Sequence, residues 1–284
     1  MRLDNQRESE NVEDRRGEGG RRGFGVGRSV GIGTVILALA ASYFLGIDPS
    51  VMLGLFSGGD IAPAPQSVPA RRPPAGDEMA RFVSKVLADT EDTWRGIFRQ
   101  TGRQYQDPKL VLFTGATPSA CGTGQTAMGP FYCPPDQTVY IDLAFYQDLK
   151  NRFKAPGDFA QAYVIAHEVG HHVQNLLGIM DKVQAARSRA GEAQANALSV
   201  RVELQADCLA GVWAYHADRV RNVVEAGDIE EALNAASAIG DDRLQREATG
   251  TVTPDSFTHG TSAQRVRWFR KGFETGDMSQ GDTF

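Results

Sequence analysis

The 284-residue sequence has no excess of basic residues and only three cysteines. Its 30 Lys and Arg residues are outnumbered by 35 Asp and Glu residues, which gives a net charge of −5. Proteins that bind nucleic acid usually carry a basic patch, so the composition indicates no nucleic-acid partner. No internal repeat is visible, and the length fits one good domain with extensions.

None of the cysteines has the C-x-x-C spacing of common zinc sites. Cys121 and Cys133 flank a glycine-rich segment from Gly122 to Pro130, and Cys208 falls in a later, predicted helix. If the domain lies outside the cytoplasm, we expect a Cys121–Cys133 disulfide and a buried free thiol at Cys208. A second metal site at Cys121 and Cys133 is the alternative, but no nearby histidine supports it.

Long apolar runs are also scarce, and the clearest covers residues 30–47 without a charge. This length is at the lower limit for a membrane-spanning helix. Arg21, Arg22 and Arg28 precede the run, and the next basic residue is Arg71. The positive-inside rule therefore predicts a cytoplasmic N-terminus and a domain on the other face of the membrane.

These features predict four segments. We expect a disordered cytoplasmic tail over residues 1–28, a transmembrane anchor over 29–47, a proline-rich linker over 48–76 and a folded domain over 77–284. A cleaved signal peptide is the main alternative for the apolar run, and a buried helix of a soluble core is the other.

The stretch Ala-His-Glu-Val-Gly-His-His-Val at residues 166–173 contains the pattern H-E-x-x-H. His167 and His171 lie four residues apart, so both imidazoles project from one face of a helix and can bind one zinc ion. Glu168 then lies beside the metal, where its carboxylate can take a proton from zinc-bound water. A core helix with two hydrogen-bonded histidines is the alternative, but it leaves three polar groups in an apolar helix without a reason. The motif predicts a zinc-dependent peptidase.

A catalytic zinc ion needs a third protein ligand. The pattern H-E-x-x-H-x-x-G-x-x-H is excluded, because Gln174 and Leu177 stand where it requires Gly and His. Glu203 and Asp207 lie four residues apart on a helix predicted from Asn196 to Ala217. We expect Glu203 to bind the metal and Asp207 to accept the free N–H of a ligating histidine. A solvated Glu with an unrelated Asp is the alternative.

His172 is the least suitable ligand of the motif. It projects about 100° away from His171 around the helix. We expect it to pack in the core or to support a ligand.

Helical and alternating apolar patterns predict an α+β fold that is mainly helical, with a small β-sheet. Asp77 is the expected N-cap of the first helix, which ends at Gly102. The other predicted elements are strands at Leu110–Phe113, Phe131–Cys133 and Thr138–Leu143, and helices at Phe145–Phe153, Phe159–Leu177, Ile229–Ile239 (capped by Asp228) and Thr261–Phe273.

These motifs together resemble the putative neutral zinc metallopeptidase family of bacterial membrane-anchored proteins. The resemblance covers nearly the whole chain and includes the opening Met1-Arg2-Leu3-Asp4. Its most specific segments are Cys121-Gly122, Gly129 to Pro134, Val139 to Asp142, His167 to Gln174, Glu203 to Trp213 and Phe257 to Arg265. The resemblance implies a zincin-like fold with one Zn²⁺ and a Glu as third ligand. It does not supply a substrate, and a peptide or protein substrate is expected from the zinc motif itself. Together with the arginines before the apolar run, it leads us to expect a single-pass protein of the bacterial cell membrane with a periplasmic catalytic domain.

Residues 258–265 look like the late Thr-His-Pro…Arg segment of membrane-bound metallopeptidases with the same zinc core, except that Gly260 replaces the proline. The likeness makes His259 the candidate donor to the tetrahedral oxyanion. Arg265 would pair with Asp207 or brace the loop. A loop histidine that merely caps the last helix is the alternative for His259, and Tyr132 is a weaker alternative donor.

The predicted function is peptide-bond hydrolysis by metal-activated water, with Glu168 as general base. Strand Val139–Asp142 could be a sheet edge to which an extended peptide adds, or a plain core strand. Two other functions are compatible with the sequence: a non-proteolytic zinc-containing binding module at the cell envelope, and a zinc amidase that acts on cell-wall material.

Overall fold

The computed structural model describes residues 1–17, 71–126 and 129–284, and the predicted anchor at 29–47 lies outside them. The described residues form a mainly helical α+β structure with small sheets, which confirms the predicted class. The strands are β1 (Val12–Asp14), β2 (Lys109–Phe113), β3 (Ala116–Ser119), β4 (Gly122–Gln125), β5 (Phe131–Cys133) and β6 (Thr138–Asp142). The α-helices are α1 (Glu78–Gln100), α2 (Ala144–Asn151), α3 (Asp158–Leu176), α4 (Ile179–Arg187), α5 (Glu192–Arg221), α6 (Asp228–Ala238), α7 (Asp241–Thr249) and α8 (Ser262–Thr275).

Helix α1 begins where the sequence predicts. The Asp77 carboxylate accepts a hydrogen bond from the backbone N–H of Ala80 at 3.0 Å. This cap satisfies an N–H group that has no partner within the helix. Val83, Leu87 and Trp94 on one face of α1 are fully buried, and this face packs against α3 and α5.

The larger sheet has the strand order β1-β2-β6-β5. Strands β1, β2 and β6 are parallel, and β5 runs antiparallel to β6. All five residues of β6 are buried, as expected for a strand with neighbours on both sides. Of the two interpretations of Val139–Asp142, the sheet edge is therefore wrong and the core strand is confirmed. Within the described residues, the edge strands of this sheet are β1 and β5. Strands β3 and β4 form a separate antiparallel pair.

Helix α3 lies in the core, and almost every residue from Phe159 to Gln174 is buried. It contacts α1, α5, α6 and the two strands β5 and β6. Each polar side chain on a helix that is buried on all sides needs a hydrogen-bond partner, because an unpartnered polar group is costly inside a protein. The polar residues of α3 are the ones that form the site described below.

Helix α8 lies directly on α5, and a glycine on each helix permits this close contact. A Cβ atom on Gly211 would lie 2.0 Å from a backbone oxygen of α8, and one on Gly272 would lie 1.9 Å from a backbone oxygen of α5. Neither position has room for a side chain. The contact lets Arg265 of α8 reach Asp207 of α5.

Residues 1–17 differ from the predicted disordered tail over 1–28. Strand β1 pairs with β2, with Val12 opposite Leu110, and the side chains of Leu3 and Val12 are buried in the main core. The prediction of disorder is therefore wrong for residues 1–17, while residues 18–28 lie outside the described ranges. Short polar sequences can form a strand when a distant strand supplies the hydrogen bonds, and the local pattern does not show that partner.

No helix within residues 1–17, 71–126 and 129–284 combines the length and the apolar character needed to cross a membrane.

Candidate metal centre

His167 and His171 lie one turn apart on α3, and Glu203 faces them from α5. The Oε2 atom of Glu203 is 3.1 Å from Nε2 of His167, and Oε1 is 3.5 Å from Nε2 of His171. One ligand atom from each of the three residues lies within 4.8 Å of the others. Two imidazole nitrogens and one carboxylate oxygen are the protein ligands of many catalytic zinc sites, so the donor set fits one zinc ion.

The other ring nitrogen of each histidine is held by an acceptor. Nδ1 of His167 lies 2.9 Å from Oδ1 of Asp207, and Nδ1 of His171 lies 2.9 Å from Oε1 of Gln174. Gln174 is oriented in turn, because its amide donates to the carbonyl oxygen of Val202 at 2.8 Å. Both rings therefore carry their proton on Nδ1 when neutral and present Nε2 to a metal.

Asp207 is fully buried and forms a bidentate salt bridge with Arg265. Nε and Nη2 of Arg265 lie 2.8 Å and 2.9 Å from the two carboxylate oxygens, and the Tyr163 hydroxyl donates to Oδ1 at 2.5 Å. Burial alone would raise the pKa of Asp207, but the charges of Arg265 and His167 outweigh it and lower this pKa. Burial likewise disfavours a charged His167, yet Asp207 raises the pKa of its imidazole to about 9.

Glu168 lies beside the ligands, at the wall of the cleft that they line. Its side chain is buried, and burial raises the pKa of its carboxyl group, although His171 and His167 partly oppose the shift. For Glu203, burial alone would also raise the pKa, but the same two imidazoles hold it well below its usual range. The two neighbouring carboxylates thus differ, since Glu168 binds a proton more readily than Glu203.

His259 lies in the loop before α8 and lines the same cleft. Its Nδ1 is 3.2 Å from Oδ1 of Asp241, the first residue of α7. The other carboxylate oxygen of Asp241 accepts three successive backbone N–H groups, from Thr258 at 2.7 Å, His259 at 2.6 Å and Gly260 at 3.1 Å. The loop is therefore wrapped around one carboxylate that fixes both its backbone and its imidazole.

The glycine that replaces the expected proline has a structural role in this loop. Gly260 has a φ of +88°, which proline cannot adopt and which strains other residues. A Cβ atom there would lie 3.2 Å from Val200 and 3.3 Å from Leu204 of α5. The loop thus reaches its position by a different backbone conformation from that of the proline pattern.

His172 contacts neither Glu203 nor the other two ligand candidates through a hydrogen bond. Its Nε2 lies 2.6 Å from the carbonyl oxygen of Gln106, and its Nδ1 lies 2.9 Å from the hydroxyl of Tyr132. The amide of Asn175 donates to the same hydroxyl at 3.0 Å. His172 therefore supports strand β5, which carries Tyr132.

The structure joins Cys121 and Cys133 in a disulfide with Cα atoms 5.8 Å apart. Cys133 ends β5, so the bridge ties this strand to the loop that precedes β4. Cys208 is a buried free thiol.

The ligand candidates line a cleft of about 940 Å³ that is open to solvent. The polar residues of its lining include the three ligand candidates, Glu168 and His259. The walls add apolar side chains, which include Phe145, Phe153, Met180, Val183 and Leu244. A concave apolar site with a few convergent polar groups is typical of substrate binding.

A second acidic cluster lies elsewhere in the described part of the chain, at Asp158, Asp228 and Glu231. The ammonium group of Met1 lies 2.9 Å from Asp158 and 3.4 Å from Asp228. This cluster therefore already contacts a cation of the chain itself.

A family model described as "Putative neutral zinc metallopeptidase" matches residues 1–284. The chain belongs to this family. The resemblance that the motifs carry is thereby confirmed. Membership supports a zinc-dependent peptidase, with a peptide or protein substrate, at the level of the family.

Two relatives show how far the similarity extends. The uncharacterised protein YpfJ of Escherichia coli (strain K12) is 53% identical over 292 residues, which cover 100% of this chain and 99% of that protein. The uncharacterised protein Rv2575 of Mycobacterium tuberculosis (strain H37Rv) is 40% identical over 254 residues, which cover 84% of each chain. No solved structure matches the chain.

The sequence patterns did not identify two residues of the site, Gln174 and Asp241. Gln174 lies one turn after His171 on a buried helix, so its spacing could have indicated a contact with that ligand. Asp241 lies 18 residues before His259, and no local pattern connects the two.

Proposed function

We propose that this protein is a zinc metallopeptidase that hydrolyses peptide bonds, with one zinc ion held by His167, His171 and Glu203. The observation that carries the proposal is the buried Glu168 beside a three-donor set in an open cleft. When bound there, zinc would supply Lewis acidity toward a carbonyl oxygen and acidify a bound water. A closed structural site would instead have four protein ligands.

Glu168 is the general base in this proposal. Burial shifts the pKa of its carboxyl group upward, toward neutral pH. A carboxylate with such a pKa can accept a proton from water and later donate it to the leaving amine. The N–H groups on Nδ1 of His167 and His171 stay bonded to Asp207 and Gln174, so these histidines are positioned as ligands rather than as bases.

His259 is the proposed donor to the oxyanion. Its contact with Asp241 holds Nδ1 and leaves Nε2 available to the cleft. Tyr132 is less suitable, because His172 uses its only hydroxyl proton. Nε2 of His172 must donate to the Gln106 carbonyl, so Nδ1 can only accept from Tyr132 in the neutral ring that burial favours.

Strand β5 is the proposed docking edge for the substrate backbone. In the part of the chain that the structure describes, it has a strand neighbour on one side only. Phe131 and Tyr132 line the cleft together with Gly129 and Pro130. An extended peptide can add to such an edge through backbone hydrogen bonds. This edge supports a peptide substrate over a cell-wall sugar. The Cys121–Cys133 bridge supports a location outside the cytoplasm, where disulfides persist.

The test is Glu168→Gln in the full chain, assayed for zinc content and for chelator-sensitive cleavage of unfolded proteins and of purified wall fragments. The amide cannot take a proton, so turnover should fall by about 10²–10⁴-fold with zinc retained. Glu203→Gln is the matched control and should lose zinc itself.

Wild-type turnover in Glu168→Gln would refute the mechanism. Chelator-sensitive cleavage of wall fragments alone would favour the amidase. If no substrate is cleaved, and the Glu168→Gln protein still restores the wild-type phenotype to a strain that lacks the gene for this protein, the binding module is the better explanation.

A further inference from the structure

The N-terminal segment, residues 1–17, forms one edge of the larger sheet. The backbone N–H of Leu110 donates to the carbonyl oxygen of Asn11 at 2.9 Å, and that of Arg15 donates to the carbonyl oxygen of Leu112 at 2.8 Å. Strand β2 would otherwise be the edge strand of the sheet. The segment thus satisfies backbone groups that a buried strand cannot leave unpaired.

A buried carboxylate on α1 depends on the same segment. The Glu91 side chain is 1% exposed. It accepts hydrogen bonds from the hydroxyl of Ser9 at 2.5 Å, the amide of Asn11 at 2.8 Å and Nη2 of Arg7 at 2.7 Å. Ser9 also exchanges hydrogen bonds with Ser84 of α1, through its backbone N–H at 3.2 Å and its carbonyl oxygen at 3.1 Å.

These contacts show that the domain is built around the N-terminal segment. An ionised carboxylate is stable in a protein interior only when it is paired and hydrogen-bonded. The described hydrogen bonds to the side chain of Glu91 all come from the N-terminal segment. The segment is therefore a part of the folded domain and not an appendage.

The apolar run at residues 30–47 lies between the two parts of the chain that make these contacts. A single membrane crossing there would separate them by a hydrocarbon layer about 30 Å thick. We propose that residues 1–17 and 71–284 lie in the same compartment, on the same side of any membrane. This replaces the single-pass topology inferred from the arginines, and it does not depend on the peptidase activity.

The distribution of cysteines allows a direct test with the full chain in spheroplasts. Glu10 is 82% exposed in the N-terminal segment, and Arg219 is 70% exposed on α5. Glu10→Cys and Arg219→Cys would each be labelled with a membrane-impermeant maleimide, before and after detergent lysis. The wild-type chain is the blank, because its cysteines are bridged or buried.

The expected result is the same labelling pattern for both variants, and this pattern also identifies the compartment. Labelling of one variant in intact spheroplasts and of the other only after lysis would overturn the proposal. A mature chain whose mass shows that residue 10 has been removed would also overturn it.

A second experiment tests the contact itself. A protease site is inserted between residues 20 and 70, and the chain is cleaved in detergent solution. The N-terminal fragment should co-elute with the domain. Ser9→Pro should release it, since proline lacks the N–H that donates to Ser84, whereas Glu10→Ala should not. Release of the wild-type fragment would contradict the proposal.

Discussion

The hydroxyl of Tyr132 donates a hydrogen bond to Nδ1 of His172 at 2.9 Å and thereby joins β5 to α3. His172 immediately follows the ligand candidate His171, so the register between the two elements is set within one residue of the metal centre. Asn175, one turn later on α3, donates to the same hydroxyl at 3.0 Å and to the carbonyl oxygen of Pro134 at 3.3 Å. These bonds fix the distance between the proposed substrate edge and the ligands.

Tyr132→Phe should therefore raise KM for a peptide substrate more than it lowers kcat, with zinc content unchanged. It should also destabilise the domain by about 1 kcal/mol, the typical contribution of one such hydrogen bond. Tyr140→Phe is the control, because it removes a similar bond, to Asp136 at 2.8 Å, from the neighbouring strand. Steady-state kinetics that show equal KM values for the two variants would refute the positioning role.

The loop histidine should give the activity an alkaline limit. The hydrogen bond that Nδ1 of His259 donates to the Asp241 carboxylate raises the pKa of His259 above its ordinary value of 6.5. A protonated His259 is the better oxyanion donor, so turnover should fall as the pH rises through this raised pKa. Protonated His259 and the Asp241 carboxylate also form an ion pair that stabilises the folded state. Its contribution is fully present below pH 6.5, the ordinary pKa of histidine, and is lost as the pH rises through the raised pKa of His259 in the folded protein.

Asp241→Asn should move the alkaline limit of the pH–rate profile to lower pH. Asp242→Asn is a matched control, because Asp242 accepts from Ser262 and does not contact His259. Unchanged profiles for Asp241→Asn and for His259→Ala would show that this histidine takes no part in turnover. Otherwise His259→Ala should lower kcat by about 10²–10³-fold with the metal retained.

Gln174 should contribute to metal affinity although it does not contact the metal. Gln174→Leu removes the acceptor for Nδ1 of His171, which should weaken zinc binding by about 10–100-fold. Competition against a chromophoric chelator measures this affinity directly. Gln205→Leu is the control, because it also removes the Gln174–Gln205 bond at 2.9 Å but leaves His171 paired. Equal losses in both variants would assign the effect to general packing.

The disulfide should be visible both as a thiol count and as stability. One reactive thiol is expected under denaturing, non-reducing conditions, and three after reduction. The bridge closes a loop with a sequence separation of 12, so its loss should destabilise the domain by about 3 kcal/mol in the entropy model. The double variant Cys121→Ala/Cys133→Ala should show the same stability with and without reductant, and a reductant effect in that variant would contradict the assignment.

Features that depend on local sequence are predictable here. The spacing of His167 and His171 and that of Glu203 and Asp207 each belong to one helix, and helical periodicity shows which face carries them. The start of α1 is equally local, since the Asp77 cap acts within one turn. Such patterns place the three ligand candidates on two helices and identify the fold class.

Features that depend on distant contacts are not predictable from these patterns. The order of the strands places β6 in the sheet interior and β5 at the edge, although both are short apolar runs. The pairing of Val12 with Leu110 and the contact of Asp241 with His259 each join separate parts of the chain. Helix α7 is short and strongly polar, and Leu244 is its only large apolar residue, so little in its sequence indicates a helix that packs on the domain.

The close contact of α5 and α8 at Gly211 and Gly272 predicts which substitutions inactivate the protein. A larger residue at Gly211 or Gly272 would force the two backbones apart and withdraw Arg265 from Asp207, which orients His167. Neither glycine lines the cleft. A screen for inactive alleles should therefore recover both positions, and their phenotype should match that of alleles at Arg265 rather than that of ordinary core mutations.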